Sequence, residues 1–255
     1  MSQLKHTIYI PSKGRWDCCH TADLLLEDDL DFYIVVEKEE YKKYSDKYGE
    51  NKILVLPFSN LGLGVYPTRN WIKNFSKEKG EEYHWQFDDD ITSVSTYTNR
   101  KKTKQSPKYI LNLMEQFNDK YVNIAISALS SDVFAFAKSK PFGINKMCCS
   151  CILIRSDLPY QWRCKLGHDA DMSIQVLKGG WCTVEMNAFV YSHKPVGNNK
   201  GGLKDIYEDG GRSKKISVLQ KFHPELPIKT SYRFNRVNSD TSKVWRRFKQ
   251  PLIKK

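Results

Sequence analysis

Short apolar runs alternate with polar breaks along the first ninety residues. Thr7–Pro11 (TIYIP), Asp31–Glu37 (DFYIVVE), Lys52–Pro57 (KILVLP) and Tyr83–Phe87 (YHWQF) are rich in β-branched and aromatic residues. That composition, at that length, predicts buried strands. Helical sequence lies between them: from about Asp17 to Glu27, from Glu39 to Tyr48 ahead of Gly49, and from Pro67 through Trp71 to Lys79 ahead of Gly80. Proline in a first turn and glycine just past a last turn are the expected punctuation of helices. Strands separated by helices predict βαβ units and a largely parallel sheet. Ligands bind such sheets beyond the carboxyl ends of the strands.

The second half is more mixed. Pro107–Asn118 and Asp169–Lys178 have helical periodicity, and Asn123–Leu129, Cys149–Arg155 and Cys182–Tyr191 read as strands. Asn99–Lys108 reads as a short basic loop. A glycine- and asparagine-rich loop at 197–202 precedes a basic helix over Arg212–Phe222, and the end reads as irregular, basic and aromatic.

Charge adds a second division. The 255-residue chain carries a formal net charge of +12, but from Lys194 onward there are 16 Lys and Arg against 5 Asp and Glu. The first 193 residues are therefore almost neutral, at +1. A neutral body with a basic end suggests a polyanionic partner, and the RKKTK run (Arg100, Lys101, Lys102, Lys104) with Arg212, Lys214 and Lys215 supplies candidate phosphate contacts. No apolar run is long enough to span a bilayer, and MSQLKHTIYI has no signal-peptide pattern, so a cytoplasmic setting without membrane association is expected. Seven cysteines, an odd number with adjacent pairs, fit reduced thiols rather than a disulfide framework.

The chemistry concentrates at the end of the fourth strand. Asp88-Asp89-Asp90 crowds three carboxylates, which repel one another and call for a cation. Hard oxygen ligands suit Mg²⁺ or Mn²⁺, which in turn bridge phosphate oxygens. In an extended segment residues i and i+2 face the same way, so Asp88 and Asp90 are expected to converge while Asp89 points elsewhere. Lys13, Arg15, Arg69 and Lys200 are candidate cations for a leaving diphosphate.

IPSKGR at 10–15, VVE at 35–37, LP at 56–57, RNW at 69–71 and YHWQFDDDI at 83–91, with LGHDADMSIQVLKGGW at 166–181, resemble the GT-A glycosyltransferases. More narrowly they resemble the phage-type DNA glycosyltransferases associated with TET/JBP oxygenases. The resemblance covers roughly residues 5–205. It implies an α/β GT-A fold with a mixed, mostly parallel central sheet, a catalytic domain over 1–205, and a basic helix and tail over 206–255 that packs on it or binds DNA.

It also implies roles for matched positions. Pro11, Ser12, Lys13 and Arg15 would lie along the nucleotide, and Glu37 would meet the base or ribose. Arg69, Asn70, Asp89 and Lys200 belong to the donor side. Asp88 and Asp90 would hold Mn²⁺ or Mg²⁺ against the diphosphate of a UDP-sugar, with His193 a late addition to the metal shell. Asp169 is the candidate general base and Asp171 the alternative; many GT-A enzymes carry Glu-Asp where this chain has His168-Asp169. The implied acceptor is a hydroxymethylated pyrimidine in DNA, with 5-hydroxymethylcytosine foremost, and Tyr97, Trp162 or Trp181 could stack on it. A glycosyltransferase acting on glycan or protein, a nucleotidyltransferase and a non-catalytic DNA-binding module are the competing readings.

Overall fold

The structure is a computed structural model and describes residues 4–194, 211–233 and 236–255. Its parallel half follows the hydrophobic rhythm. β1 (Ile8–Pro11), β2 (Phe32–Val36), β3 (Ile53–Val55) and β4 (Tyr83–Phe87) are joined by α1 (His20–Glu27), α2 (Tyr41–Tyr48) and α3 (Tyr66–Glu78). β1 lies between β2 and β4 and is parallel to both, with Ile8 opposite Phe32 on one side and Trp85 on the other. The order β3-β2-β1-β4 reverses direction at β1. That reversal leaves a crevice between the carboxyl ends of β1 and β4, where loops diverge to opposite faces.

The rest of the sheet is built largely from antiparallel pairs. β5 (Ile91–Thr98), β6 (Lys101–Gln105), β7 (Ile124–Ser131), β8 (Phe142–Ile144), β9 (Cys151–Arg155) and β10 (Cys182–His193) extend the order to β4-β9-β7-β10-β5-β6, with β8 pairing β10. Only β7 and β10 are parallel here. α4 (Pro107–Asn118), the single turn α5 (Asp132–Ala135) and α6 (His168–Lys178) accompany these strands.

The basic run at 100–104 is therefore an edge strand, not a loop. Asn99 and Arg100 both have positive φ, 52° and 60°, as a tight hairpin turn between β5 and β6 requires. The solvated lysines hid the strand, since period-2 alternation vanishes where a strand is exposed on both faces. Lysines on an edge also discourage further pairing.

Residues 211–255 form α7 (Arg212–Phe222), a hairpin of β11 (Lys229–Arg233) and β12 (Arg236–Asp240), and the single turn α8 (Ser242–Trp245). The end expected to be irregular thus contains paired strands. Ile216, Leu219, Ile228 and Val244 bury against Ala170 and Ile174 of α6. The last residues run back along the body, where Val122 N donates to Ile253 O and Asn123 Nδ2 to Pro251 O. The loop 197–202, Lys200 and the 205/206 division lie outside the described residues. No helix among the described residues is long and apolar enough to cross a membrane.

One buried carboxylate ties the start of the chain to the sheet. Glu115 on α4 accepts from Lys5 N, His6 N and the Trp85 indole. We predict that Glu115→Leu, which leaves all three donors without an acceptor, lowers stability by about 3 kcal/mol in urea unfolding followed by tryptophan fluorescence, while Glu115→Gln loses less.

Candidate active site

The three aspartates sit at the β1/β4 crevice, and each has a different environment. Thr21, in the first turn of α1, fixes the turn that carries them: its hydroxyl donates to Asp88 O and accepts from Ile91 N, and its own N–H donates to Asp89 O. Asp89 is buried. It accepts from Ser12 Oγ at 2.6 Å and pairs with the Arg15 guanidinium. Ser12 also meets Tyr44 Oη at 2.7 Å, and Tyr44 Oη accepts from Arg15 N. Burial pushes the Asp89 carboxyl up, and Arg15 and Ser12 only partly offset it. Asp89, Ser12 and Arg15 thus lock the loop after β1 to the end of β4.

Asp88 faces the other way. Its carboxylate pairs with Arg69 of α3 at 2.5 Å, and its N–H donates to Ser150 O at 2.7 Å. The Arg69 side chain is almost wholly buried, donates also to Gln86 Oε1, and lies over the Trp162 ring. Asp90 accepts no hydrogen bond among the described residues, and its nearest cation is Arg15 at 4.0 Å. Burial, Asp88 and Asp89 together push the Asp90 carboxyl up to about 6, against Arg15 and His193. His193 pairs with Ile91 in the β10/β5 ladder, which brings it beside Asp90. The aspartates lie in a turn beyond β4 rather than in an extended segment, so the i and i+2 expectation does not apply: Asp89 and Asp90 share the side of Arg15, and Asp88 turns to Arg69.

These residues fit a divalent cation. Asp90 is a hard oxygen ligand that Arg15 and His193 offset only in part, strained by like charge beside the β1/β4 crevice. Among the described residues no three His, Cys, Asp or Glu side chains converge into a finished cage. A cation there would draw its remaining ligands from substrate phosphates and water, the usual arrangement for Mg²⁺.

The candidate bases divide clearly. Asp171 is fully buried and accepts from Arg163 Nε and Nη2, Gln175 Nε2 and His223 Nε2, the last at 2.8 Å. Burial would push its carboxyl up, but His223 and Arg163 more than offset this and hold it low. Asp171 is therefore a structural anion that fastens α6 to the segment after α7. Asp169 stays partly exposed, with His168 Nε2 3.5 Å from its carboxylate. Ser173 Oγ donates to Asp169 O and accepts from Cys148 N. The loop 148–151 thus runs from the first turn of α6 to the Asp88 turn, carrying Asp169 to the same end of the sheet. Ser150 in that loop has φ 63°, a costly conformation for a side-chain residue.

Other expected site residues have defined partners. Pro11 ends β1 opposite Val35. Lys13 pairs with Glu37 at 2.5 Å and with Asn60 at the carboxyl end of β2. Asn70 spends both ends of its amide on the Trp162 main chain. Trp162 is buried and cannot stack on a base, and Arg155 covers Trp181. Lys101 and Lys104 line the exposed edge strand, whereas Lys102 donates to Asp132 and Ser192. Lys215 packs on Gly167, whose φ of 78° and close approach to Leu219 let α7 reach α6. All seven cysteines are free. Burial, with Asp169 and Asp88 behind it, pushes the Cys149 thiol up to about 12, so it is unreactive.

A family model of the TET-associated glycosyltransferases matches residues 6–202. The chain belongs to that family. No curated protein matches it. The matched span contains β1 through β10, so this glycosyltransferase carries the three aspartates and Asp169 inside its family region. The sequence pointed to the acidic turn but not to the groups that set it. Thr21, Tyr44, Ser173 and the Arg163–Asp171–His223 cluster act through main-chain atoms or distant segments and leave no local signature.

Because the Asp90 carboxyl binds its proton more tightly when folded, it destabilises the metal-free protein as pH rises from about 4 through 6. We predict that Asp90→Asn stabilises the protein at pH 7.5 by on the order of 1–3 kcal/mol in thermal unfolding with chelator. The gain should disappear below about pH 4, where the wild-type group is neutral in both states.

Proposed function

We propose that this glycosyltransferase moves a sugar, glucose or arabinose, from a UDP-sugar to the hydroxyl of a hydroxymethylated pyrimidine in DNA, with 5-hydroxymethylcytosine the first candidate. The observation that supports the transfer chemistry is the weakly compensated Asp90 carboxylate, with Arg15 4.0 Å away, beside Asp88 at the β1/β4 crevice. Asp88 and Asp90 would hold Mn²⁺ or Mg²⁺, with His193 near enough to join them. A cation bound there neutralises charge on the departing nucleoside diphosphate. Lys13 and Glu37 lie where the nucleoside would enter, and Arg69 sets the Asp88 carboxylate. Asp89 and Arg15 shape the donor loop from behind.

In an inverting displacement, the bond from the anomeric carbon to the diphosphate breaks as a bond to the acceptor oxygen forms. Asp169 takes the hydroxyl proton. Asp171 is excluded from that role because all its acceptor capacity is used by Arg163, His223 and Gln175. The exposed lysines of β6 support DNA as the acceptor-bearing partner, and α7 adds Lys214 and Lys215. The seven free thiols suit a cytoplasm, that of the host if the gene is phage-borne.

The test is direct. Incubation with Mn²⁺, a panel of UDP-sugars and hydroxymethylcytosine DNA, followed by nucleoside mass spectrometry, should show one added sugar mass. Transfer only to glycans or protein, or release of pyrophosphate, would overturn the reading. Asp88→Asn and Asp90→Asn should each lower kcat/KM roughly 10²–10³-fold, and Asp169→Asn should lower kcat with little change in donor KM.

DNA affinity supplies an independent check. Replacing Lys101, Lys102 and Lys104 by alanine should reduce the slope of log K against log salt by roughly two, a little less than three full phosphate contacts would give because Lys102 is already paired with Asp132. An unchanged slope would remove β6 from the DNA path.

A further inference from the structure

The turn after β7 has a surface that the transfer chemistry does not use. Val133, Phe134 and Phe136 are 56%, 60% and 74% exposed. Three of the four most exposed large apolar side chains among the described residues thus fall within four consecutive positions. Single exposed apolar residues are ordinary, but a clustered patch marks a contact surface.

The patch stands on a pinned base. Ala135, in its midst, is fully buried. Asp132 accepts from Lys102 Nζ at 2.8 Å and from Ser192 Oγ at 2.6 Å. On the far side Lys138 pairs with Glu185 at 2.6 Å, and Lys140 O accepts from Asn187. The phenyl rings are therefore held out to solvent by a fixed turn. Ser192 is the neighbour of His193, so the turn lies at the rim of the acidic site.

Charge decides what such a patch can meet. Lys102 of β6 reaches Asp132 at the foot of the turn, and Lys138, paired with Glu185, and the exposed Lys140 follow the rings in the chain. Apolar side chains with lysines at their foot match the stacked bases and phosphates of nucleic acid. An enzyme that acts on a base within a duplex must extrude it, and apolar side chains that enter the stack kink the duplex and open a base step.

We infer that Phe134 and Phe136, backed by Val133, form a wedge that enters the base stack of duplex DNA and helps deliver the acceptor base to the site. This rests on the DNA-acceptor reading above. The exposed Lys140 and the β6 lysines other than Lys102 meet the flanking phosphates, and Asp132 with Lys102 fixes the wedge relative to His193 and Asp90.

A duplex carrying 2-aminopurine next to hydroxymethylcytosine tests the wedge without requiring turnover. Wild-type protein should raise the fluorescence on binding. Phe134→Ala with Phe136→Ala should cut that rise at least fivefold at saturating protein, and Phe134→Trp with Phe136→Leu should restore most of it. In the transfer assay the duplex-to-single-strand rate ratio should fall at least tenfold for the alanine pair. A fluorescence rise that survives the alanine pair, or no rise with bound wild-type protein, overturns the wedge. So does ring-dependent binding to phosphatidylserine vesicles with none to duplex. Duplex transfer at the wild-type rate by the alanine pair sinks the wedge and leaves the acceptor reading standing. A ring-dependent fluorescence rise with no sugar transferred to any DNA sinks the acceptor reading alone.

Discussion

Three adjacent carboxylates cannot be brought to the end of one buried strand unless each is given a separate fate. Most of the site follows from that constraint. Asp89 turns inward, where Ser12 and Arg15 neutralise it and in doing so bind the β1 loop to β4. Asp88 turns toward α3, where Arg69 is held ready by Gln86. Asp90 alone is left without a full counter-charge, and its raised carboxyl records the cost. Arg15 and Ser12 only partly offset the burial of Asp89, so the fold carries strain at Asp89 as well as at Asp90.

The second half of the chain solves a placement problem. The proposed base would have to lie across the crevice from the proposed donor, yet Asp169 is some eighty positions beyond Asp88 in sequence. The antiparallel β4/β9 pair brings the loop 148–151 to the Asp88 turn, and Ser173 ties that loop to the first turn of α6. Asp171, one strand-like step away in sequence, has the opposite role. It is buried under Arg163 and His223 so that α6, and with it Asp169, has a fixed position. Breaking a buried, multiply bonded carboxylate of this kind is costly because it strands its partners' charges. The C-terminal segment is therefore part of the scaffold of the site as well as a basic surface.

The sheet edge formed by β6 carries the lysines proposed to meet DNA. β6 ends the sheet with lysines, which keeps other strands from adding to it, and Lys102 reaches back to Asp132 below the exposed phenyl rings. A fixed apolar turn and a basic edge are thus mechanically joined at the rim of the acidic site.

Local chemistry determined the parallel half of the fold from sequence alone. Alternating apolar runs and capped helices fix β1 to β4 because backbone hydrogen bonding and burial of β-branched residues act over a few residues. The acidic turn was legible for the same reason: three like charges after an apolar strand demand compensation wherever the strand lies. The i and i+2 rule did not carry over, because the chain turns after Phe87 and Asp89 and Asp90 come to share Arg15. Tertiary structure alone decided which partner each carboxylate received. The periodicity of α6 treats Asp169 and Asp171 alike, and only the approach of Arg163 and of His223, fifty-two positions on, separates a buried anion from an available one. Likewise Asn70 reads as a polar helix residue until Trp162 takes both ends of its amide, and the RKKTK run reads as loop until β5 pairs with it. Long-range contacts set these outcomes, since burial and counter-charge are supplied by segments that sequence spacing does not bring together.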